Sequence, residues 1–411
     1  MKKTVIFIIT GILLLSLFSG VFWYIGSREK KVVTEAPGVS DDEILIGSSS
    51  ALGGYASFLG SQTVRGSLAY INEVNENGGV NGRKIRLIAY DDEYDPEKTV
   101  QNTQKLIGED GVFALFDYVG TPTSVRIIDI VDVAEVPLLG LFTGAETLRS
   151  PIRPYIFNVR DSYYSETEAA ISYFVDELGF SKIAVFYQND AFGQTVLTGT
   201  KLALTRRGLD PVASATYERG SMDISGAAKT IRESEAQAVV MVGTYSPLAK
   251  FVKISNNEGF KPYFHTVSFV GSEAFASELI QSQGINESEY EKIIVTQVVP
   301  SPFSKEFSSV REYIDLSEKY YPGDEPNYVA LEGFVNAKVL VEALRIAGTE
   351  LTREGFVDAL ESMHDFDIGV GTKLGYGERD HQGLDGVYYS RLSKNGVFET
   401  FELGGGVDEN F

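Results

Sequence analysis

The chain has no cysteine and only three histidines in 411 residues. The lack of cysteine excludes disulfides, thiol nucleophiles and cysteine-ligated metal sites. The histidines, His265, His364 and His381, are far apart in the sequence. We expect each of them to lie at the surface or in packing rather than to bind a metal. These residue types therefore predict no metal site and no cofactor.

The sequence also lacks the short motifs of common catalytic sites. It has no G-x-G-x-x-G after a strand, no Gly-Lys phosphate loop, no H-E-x-x-H and no G-x-S-x-G. Carboxylates are numerous, but their positions in the sequence give no geometry for an acid–base pair. We therefore predict a protein that is not an enzyme and has no catalytic residues.

Positive charge is scarce as well. Lys and Arg total 36 against 57 Asp and Glu, which gives a formal net charge of -21. Clustered cations bind the phosphate backbone, so this balance argues against nucleic acid as a partner. Such an excess of acid is typical of a soluble, self-repelling surface, and an acidic docking face is the alternative interpretation.

The N-terminus carries one long apolar run. Residues 5–25 contain no charge and follow the basic start Met1-Lys2-Lys3. About 20 helical residues cross the hydrocarbon core of a bilayer. Neither a lipid-bearing cysteine nor a strong small-residue cleavage site follows, so we predict an uncleaved signal anchor over residues 1–31 in the cytoplasmic membrane. Cleavage near Ser19 or Gly26 is the alternative. A linker over residues 32–41 is expected to lead to an extracytoplasmic part.

From Ile44 onward, β-rich apolar runs alternate with amphipathic helical stretches. This alternation predicts an α/β fold with parallel sheets covered by helices. The alternation restarts after Arg160, which implies two sheets. Asp95 precedes a proline at a typical helix start, and we expect Asp91, Asp92 and Asp95 to cap and turn rather than to bind a metal.

Two hydroxyl-rich turns follow two successive apolar runs, at residues 120–124 and 141–145. Because the carboxyl ends of parallel strands meet at one edge of a sheet, we expect the two turns to line one crevice. The first turn opens a predicted helix over residues 125–135, whose N-terminal amides favour a bound anion. The pattern predicts a carboxylate-holding pocket without a reactive group, and hence binding rather than catalysis.

Five segments occur in a specific order and spacing. They are SSALGGYASFLG from Ser49, INEVNENGGVNGRKIRLIAYDDEYDP from Ile71, GTPTS from Gly120, FTGAETLR from Phe142 and AVFYQNDAFGQ from Ala184. With these segments the chain resembles the type I periplasmic solute-binding proteins, in the leucine/isoleucine/valine-binding branch that serves ATP-driven (ABC) importers. The resemblance extends from Ile44 to about Phe401.

The resemblance implies a fold of two Rossmann-like lobes with parallel sheets, joined by three crossover strands. The crossovers are expected near residues 158–162, 266–271 and 385–388. They divide the chain into lobe 1, residues 42–160 plus 271–386, and lobe 2, residues 161–270 plus 387–411. The lobes of this family close over a ligand like a hinged clamp.

The resemblance also implies a ligand-binding set contributed by both lobes. This set comprises Ser50, Leu59, Thr121, Thr123, Phe142, Thr143, Tyr163, Phe192 and Tyr245. A hydroxyl at the position of Thr121 and the turn at Thr143 hold the carboxylate of the solute in this family. As an alternative, the threonines could cap helices and turns and the aromatic residues could join the core. Leu248 stands where amino-acid binders place the acid for the substrate ammonium, and this departure argues against an α-amino acid.

The function implied by the resemblance is that of an extracytoplasmic solute-binding protein of an ABC importer. Such a protein captures a small carboxylate-bearing solute, an amino acid or a related organic acid, and passes it to the importer's membrane subunits. The alternative is a ligand-sensing module that signals solute occupancy to a partner protein, because a fold alone does not decide between these roles.

Overall fold

The structure is a computed structural model and describes residues 36–403. Its first sheet has five parallel strands in the order β2-β1-β3-β4-β5. They are β1 (Glu43–Ser50), β2 (Lys84–Asp91), β3 (Ala114–Phe116), β4 (Leu138–Leu139) and β5 (Ile156–Phe157). Every residue of β3, β4 and β5 is buried, as expected where helices cover both faces of a parallel sheet.

The second sheet has seven strands in the order β14-β13-β10-β9-β8-β6-β7. They are β6 (Ile183–Gln188), β7 (Ala213–Tyr217), β8 (Ala238–Val242), β9 (Tyr263–Thr266), β10 (Ile293–Gln297), β13 (Tyr388–Leu392) and β14 (Phe398–Phe401). β6 to β10 are parallel, and β13 and β14 add an antiparallel hairpin at one edge. β11 (Phe366–Asp367) and β12 (Lys373–Leu374) pair separately. Two sheets of this kind confirm the predicted fold class.

Helices connect the strands and cover the sheets. Those of the first half are α1 (Ser57–Glu76), α2 (Pro96–Gly108), α3 (Thr121–Val125) and α4 (Ile128–Ala134). Those that follow are α5 (Tyr163–Ile171), α6 (Ala191–Thr205), α7 (Ser225–Glu233), α8 (Tyr245–Asn257) and α9 (Ser272–Ser277). The last three are α10 (Ser308–Tyr320), α11 (Tyr328–Ala347) and α12 (Arg353–Glu361). The helix predicted over residues 125–135 is wrong in its bounds, because the hydroxyl-rich turn itself forms α3 and α4 starts only at Ile128.

α11 returns to the first lobe and packs tightly on α1. A Cβ atom on Gly66 of α1 would lie 1.8 Å from the carbonyl oxygen of Ala330. A Cβ atom on Gly333 of α11 would lie 2.1 Å from the carbonyl oxygen of Thr63. Only glycine at both positions lets the two helix backbones approach this closely. The late segment that carries α11 is thereby packed against lobe 1.

The chain passes between the two sheets after β5, after β10 and before β13. The crossover expected near residues 266–271 is therefore wrong, and so is the assignment of β10 to lobe 1. β10 lies in the second sheet, where Ile293 pairs with Phe264 and Ile294 pairs with Arg391. The buried sequence of β10 would suit the interior of either sheet, so only its pairing partners show that it belongs to the second sheet.

The predicted anchor over residues 1–31 lies outside the described residues. Between residues 36 and 403, no helix has the length and apolar character needed to cross a membrane. The predicted linker over residues 32–41 is wrong at its end, because the chain packs on lobe 1 from Gly38. The carbonyl of Gly38 accepts a hydrogen bond from the amide of Leu45 at 2.7 Å. A Cβ atom on Gly38 would lie 2.3 Å from the amide nitrogen of Phe113.

The acids after β2 make local hydrogen bonds, as predicted. Asp95 is the N-cap of α2 and accepts a hydrogen bond from the amide of Glu97 at 2.8 Å. Asp91 accepts hydrogen bonds from the amides of Leu52 and Gly53, both at 3.0 Å. These contacts confirm capping and turn formation at the two positions.

Candidate functional site in the cleft between the lobes

The two hydroxyl-rich turns meet at the carboxyl ends of β3 and β4. The Oγ1 atoms of Thr121 and Thr143 are 2.7 Å apart, and both residues are fully buried. The turns are held together through the backbone, since the amide of Gly120 donates to the carbonyl of Phe142 at 3.2 Å. Adjacent parallel strands therefore bring together two hydroxyls that are 22 residues apart in the sequence.

Aromatic side chains from both lobes meet next to this hydroxyl pair. We call Tyr94, Phe142, Tyr163, Phe192 and Phe269 the cleft aromatic cluster. The ring of Phe269 lies 5.7 Å from that of Phe142, 4.7 Å from that of Phe192 and 5.8 Å from that of Tyr94, between centroids. The rings of Tyr163 and Phe192 are 5.2 Å apart. The five side chains are buried and pack against one another where the two lobes meet.

The phenol groups of the cluster remain protonated. Burial raises the pKa of Tyr163 to about 12, and the charge of Arg160 and a hydrogen bond with Thr143 oppose this increase. Burial also raises the pKa of Tyr94 well above its usual value. The Tyr94 hydroxyl is buried and has no hydrogen-bond partner among the residues that the structure describes. Both hydroxyls can therefore act as neutral hydrogen-bond donors.

A buried ion cluster links the lobes behind the aromatic rings. Arg160 of the first crossover lies 3.1 Å from Glu166 of α5 and 3.3 Å from Glu332 of α11, between nitrogen and oxygen atoms. Glu166 also accepts hydrogen bonds from the amide of Ser268 and the hydroxyl of Thr296, both at 2.7 Å. Burial raises the pKa of Glu332 to about 7, although the charge of Arg160 opposes this shift. Two carboxyl groups thus share one cation.

The lobes contact each other at several points along the cleft. The amide of Tyr163 donates to the carbonyl of Gly144 across the first crossover at 2.7 Å. The rings of Phe58 and Tyr245 meet edge to face at 6.4 Å. A Cβ atom on Gly271 would lie 2.7 Å from the Cδ2 atom of Leu59. The structure is therefore that of the closed lobes.

Five of the predicted site residues lie together in this cleft, namely Thr121, Phe142, Thr143, Tyr163 and Phe192.

The other predicted site residues lie elsewhere or have structural partners. The Ser50 hydroxyl donates to the carbonyl of Asp117 at 2.8 Å, within the first lobe. The Thr123 hydroxyl donates to the carbonyl of Gly120 at 2.8 Å and thereby shapes the turn. Leu59 and Tyr245 face the opposite lobe at the contacts given above.

Sequence reasoning missed Tyr94, Phe269 and Arg160. Tyr94 and Phe269 follow the ends of β2 and β9, so the rule that selected Phe142 could have found them. Tyr94 also has a φ of 61°, which is rare for an aromatic residue and common at functional positions. No sequence signal marks Arg160, because its two acidic partners are 6 and 172 residues away.

Comparison with known proteins agrees with this architecture. The profile of the periplasmic binding protein family matches residues 43–396. The Leu/Ile/Val-binding protein homolog 7 of Brucella abortus (strain 2308) is 26% identical over 353 residues, covering 83% of this chain and 86% of the relative. The crystal structure of a possible leucine/isoleucine/valine-binding protein from Rhodopirellula baltica SH 1 is 31% identical, with a TM-score of 0.81 over 88% of this chain and 96% of that chain.

A fatty acid ABC transporter substrate-binding protein from Thermomonospora curvata shares the fold, with a TM-score of 0.80 at 21% identity, over 91% of this chain and 95% of that chain. Proteins of this family bind small solutes outside the cytoplasm. The two α/β sheets described above agree with the fold of these matches. The chain belongs to the type I periplasmic binding proteins, in the leucine/isoleucine/valine-binding family.

Proposed function

We propose that the chain is the solute-binding component of an ABC importer and holds a small carboxylate-bearing solute between its lobes. The observation that carries this proposal is the buried pair of Thr121 and Thr143 hydroxyls, 2.7 Å apart at two strand ends. The two hydroxyls are hydrogen-bonded to each other, and each can rotate to donate to one oxygen of a carboxylate instead. A hydrogen bond to a charged acceptor contributes about 1.5 to 3 kcal/mol, so the pair provides a substantial share of the affinity.

The part of the solute next to this carboxylate is proposed to be apolar. The cleft aromatic cluster lies beside the hydroxyl pair and presents the rings of Phe142, Phe192 and Phe269. The names of two similar proteins refer to leucine, isoleucine and valine in one case and to a fatty acid in the other. All of these compounds combine a carboxylate with an aliphatic body, which supports a solute of this general type.

An α-amino group is not required by the cleft that we describe. Leu248, at the position where the resemblance expects an acid, is fully buried within the second lobe. Asp190 lies near Tyr94, because its negative charge and burial both raise the pKa of Tyr94. Its carboxylate already accepts hydrogen bonds from the amides of Phe192 and Gly193, at 3.0 and 3.3 Å, and from Gln188 at 2.6 Å. We therefore favour an organic acid over an amino acid.

Titration calorimetry of the full-length chain tests this proposal with leucine and with isocaproate, which has the same side chain but no amino group. We expect isocaproate to bind at least as tightly as leucine. Thr121→Val and Thr143→Val should each weaken binding by about ten- to hundredfold. Thr200→Val is the matched control, since Thr200 is buried in α6 and its hydroxyl donates only to Val196, at 2.8 Å. Unchanged affinity in both cleft variants would refute the carboxylate site.

Importer function is proposed to include attachment to the membrane through residues 5–25. The apolar length of this segment and the lack of a strong cleavage site support an uncleaved anchor. We expect the protein to stay in the membrane pellet after washing with high salt and carbonate. Release with a new N-terminus between residues 19 and 31 would show cleavage instead.

A further inference from the structure

The turn that follows β7 brings a cation to the mouth of the cleft. In this turn the amide of Ser221 donates to the carbonyl of Glu218 at 2.9 Å, and Asn189 donates to the Glu218 carboxylate at 2.9 Å. A Cβ atom on Gly220 would lie 3.2 Å from the Cε1 atom of Tyr55, which belongs to the first lobe. The closed turn therefore holds Arg219 between the two lobes.

Arg219 is partly buried and has its donors available. Within residues 36–403 its guanidinium makes neither an ion pair nor a hydrogen bond. Burial raises the pKa of Tyr55 and of Tyr94, and the positive charge of Arg219 opposes both increases. The positive charge of Arg219 therefore lies near both phenol groups. A guanidinium offers five N–H donors and binds a carboxylate with two parallel hydrogen bonds.

Two phenol groups lie next to this cation. The rings of Tyr55 and Tyr94 meet edge to face at 5.9 Å. The Tyr94 hydroxyl lacks a partner among residues 36–403. The same ring packs against the first hydroxyl-rich turn, where a Cβ atom on Gly120 would lie 2.1 Å from its Cε2 atom. Tyr94 therefore connects the Thr121 turn to the mouth of the cleft.

Several acids lie near the mouth, since the charges of Asp190, Asp95 and Asp92 all add to the increase in the pKa of Tyr55. Asp95 accepts a hydrogen bond from the amide of Glu97, and Asp92 accepts one from the hydroxyl of Ser49. The oxygens of Asp190 also have donors within the chain. They accept the three hydrogen bonds described above, from two amides of α6 and from Gln188. The neighbouring Arg219, Tyr55 and Tyr94 are all donors with capacity left. Because donors are available here while the acceptors already have partners, the mouth favours a negatively charged group of the solute over an ammonium.

We propose that Arg219, Tyr55 and Tyr94 form a second anion-recognition point, so that the solute is a dianion such as a dicarboxylate. This inference rests on the proposed function, in which Thr121 and Thr143 hold the first carboxylate. The aromatic cluster then packs against the apolar chain between the two charged ends.

Calorimetry of the full-length chain tests the inference with probes that differ only at the far end. Hexanoate, adipate and ε-aminocaproate end in a methyl, a carboxylate and an ammonium group, respectively. Succinate, glutarate, pimelate and suberate vary the distance between the two carboxylates. Each of them is compared with the monocarboxylate of equal chain length. We expect one dicarboxylate to bind about ten- to hundredfold tighter than its monocarboxylate partner.

Arg219→Gln should abolish this preference, because it should weaken the binding of the dicarboxylate far more than that of the monocarboxylate of equal length. Arg219→Lys should keep part of it, because the charge remains. Arg232→Gln is the control for loss of charge on the same lobe, since Arg232 pairs with Glu258 at the surface. Tyr94→Phe should reduce the preference without lowering the melting temperature, because the hydroxyl it removes has no partner among the described residues.

Three results would overturn the inference: equal binding of mono- and dicarboxylates at every length, a preference that survives Arg219→Gln, or tightest binding of ε-aminocaproate. In these cases the proposed function still stands if Thr121→Val weakens the binding of monocarboxylates. Failure of every carboxylate to bind would instead refute the proposed function itself.

Discussion

The buried ion cluster gives a prediction about the pH dependence of stability. Glu332 is 3% exposed and forms an ion pair with Arg160, which also pairs with Glu166. Burial raises its pKa from 4.5 to about 7 in the folded chain. The folded state therefore holds this proton more tightly than the unfolded state does.

The sign and size of the effect follow from proton linkage. Below about pH 4.5 the carboxyl group is protonated in both states and contributes no pH dependence. Between pH 4.5 and 7 the unfolded chain loses the proton while the folded chain keeps it, so the free energy of unfolding falls by about 1.4 kcal/mol per pH unit. Above pH 7 the loss is complete and amounts to about 3 kcal/mol.

Glu332→Gln removes this titration and leaves Arg160 paired with Glu166. Urea unfolding followed by circular dichroism should show similar stability for the variant and the wild type near pH 4.5. Near pH 8 the variant should be more stable, by up to about 3 kcal/mol. Glu342→Gln is the control on the same helix, where Glu342 pairs with Arg345 near the surface. A variant that is less stable than the wild type at pH 8 would refute the reasoning, because Glu332 would then act as a favourable ionised partner.

Two further substitutions test contacts around the cleft, one within the first lobe and one between the lobes. Gly120→Ala should lower the melting temperature more than Gly78→Ala, since both glycines have φ near 100° but only Gly120 faces a neighbour, Tyr94, within 4 Å; equal losses would contradict the contact. Tyr245→Ala removes the ring contact with Phe58 and should shift the lobes toward an open form. Small-angle scattering would then give a larger radius of gyration, and an unchanged radius would show that this contact does not hold the lobes.

Much of the fold could be predicted because it depends on local patterns. The alternation of apolar strands and amphipathic helices requires two parallel sheets, and the acid at Asp95 marks a helix start wherever the helix lies in the molecule. The same holds for Thr121 and Thr143, because hydroxyl-rich turns after neighbouring strands must meet at one sheet edge.

The sequence-based predictions were wrong where the structure of a segment depends on contacts with residues that are distant in the sequence. The strand Ile293–Gln297 is buried throughout and fits either sheet, so its place followed only from its contacts with β9 and β13. The helix expected over residues 125–135 is broken because the turn before it is itself helical. The linker prediction failed at Gly38, whose packing partner Phe113 is 75 residues away.

The sequence by itself determined the class of the protein, namely its two α/β lobes and the hydroxyl pair at the strand ends. These features depend on residue type and short spacing, which a linear chain displays directly. Only the tertiary structure decided which residues meet across the cleft. Tyr94, Arg219 and Phe269 come from three different turns, and Arg160 is neutralised by acids on opposite lobes. Charge and packing act over a few ångströms in space, and a sequence does not record those distances.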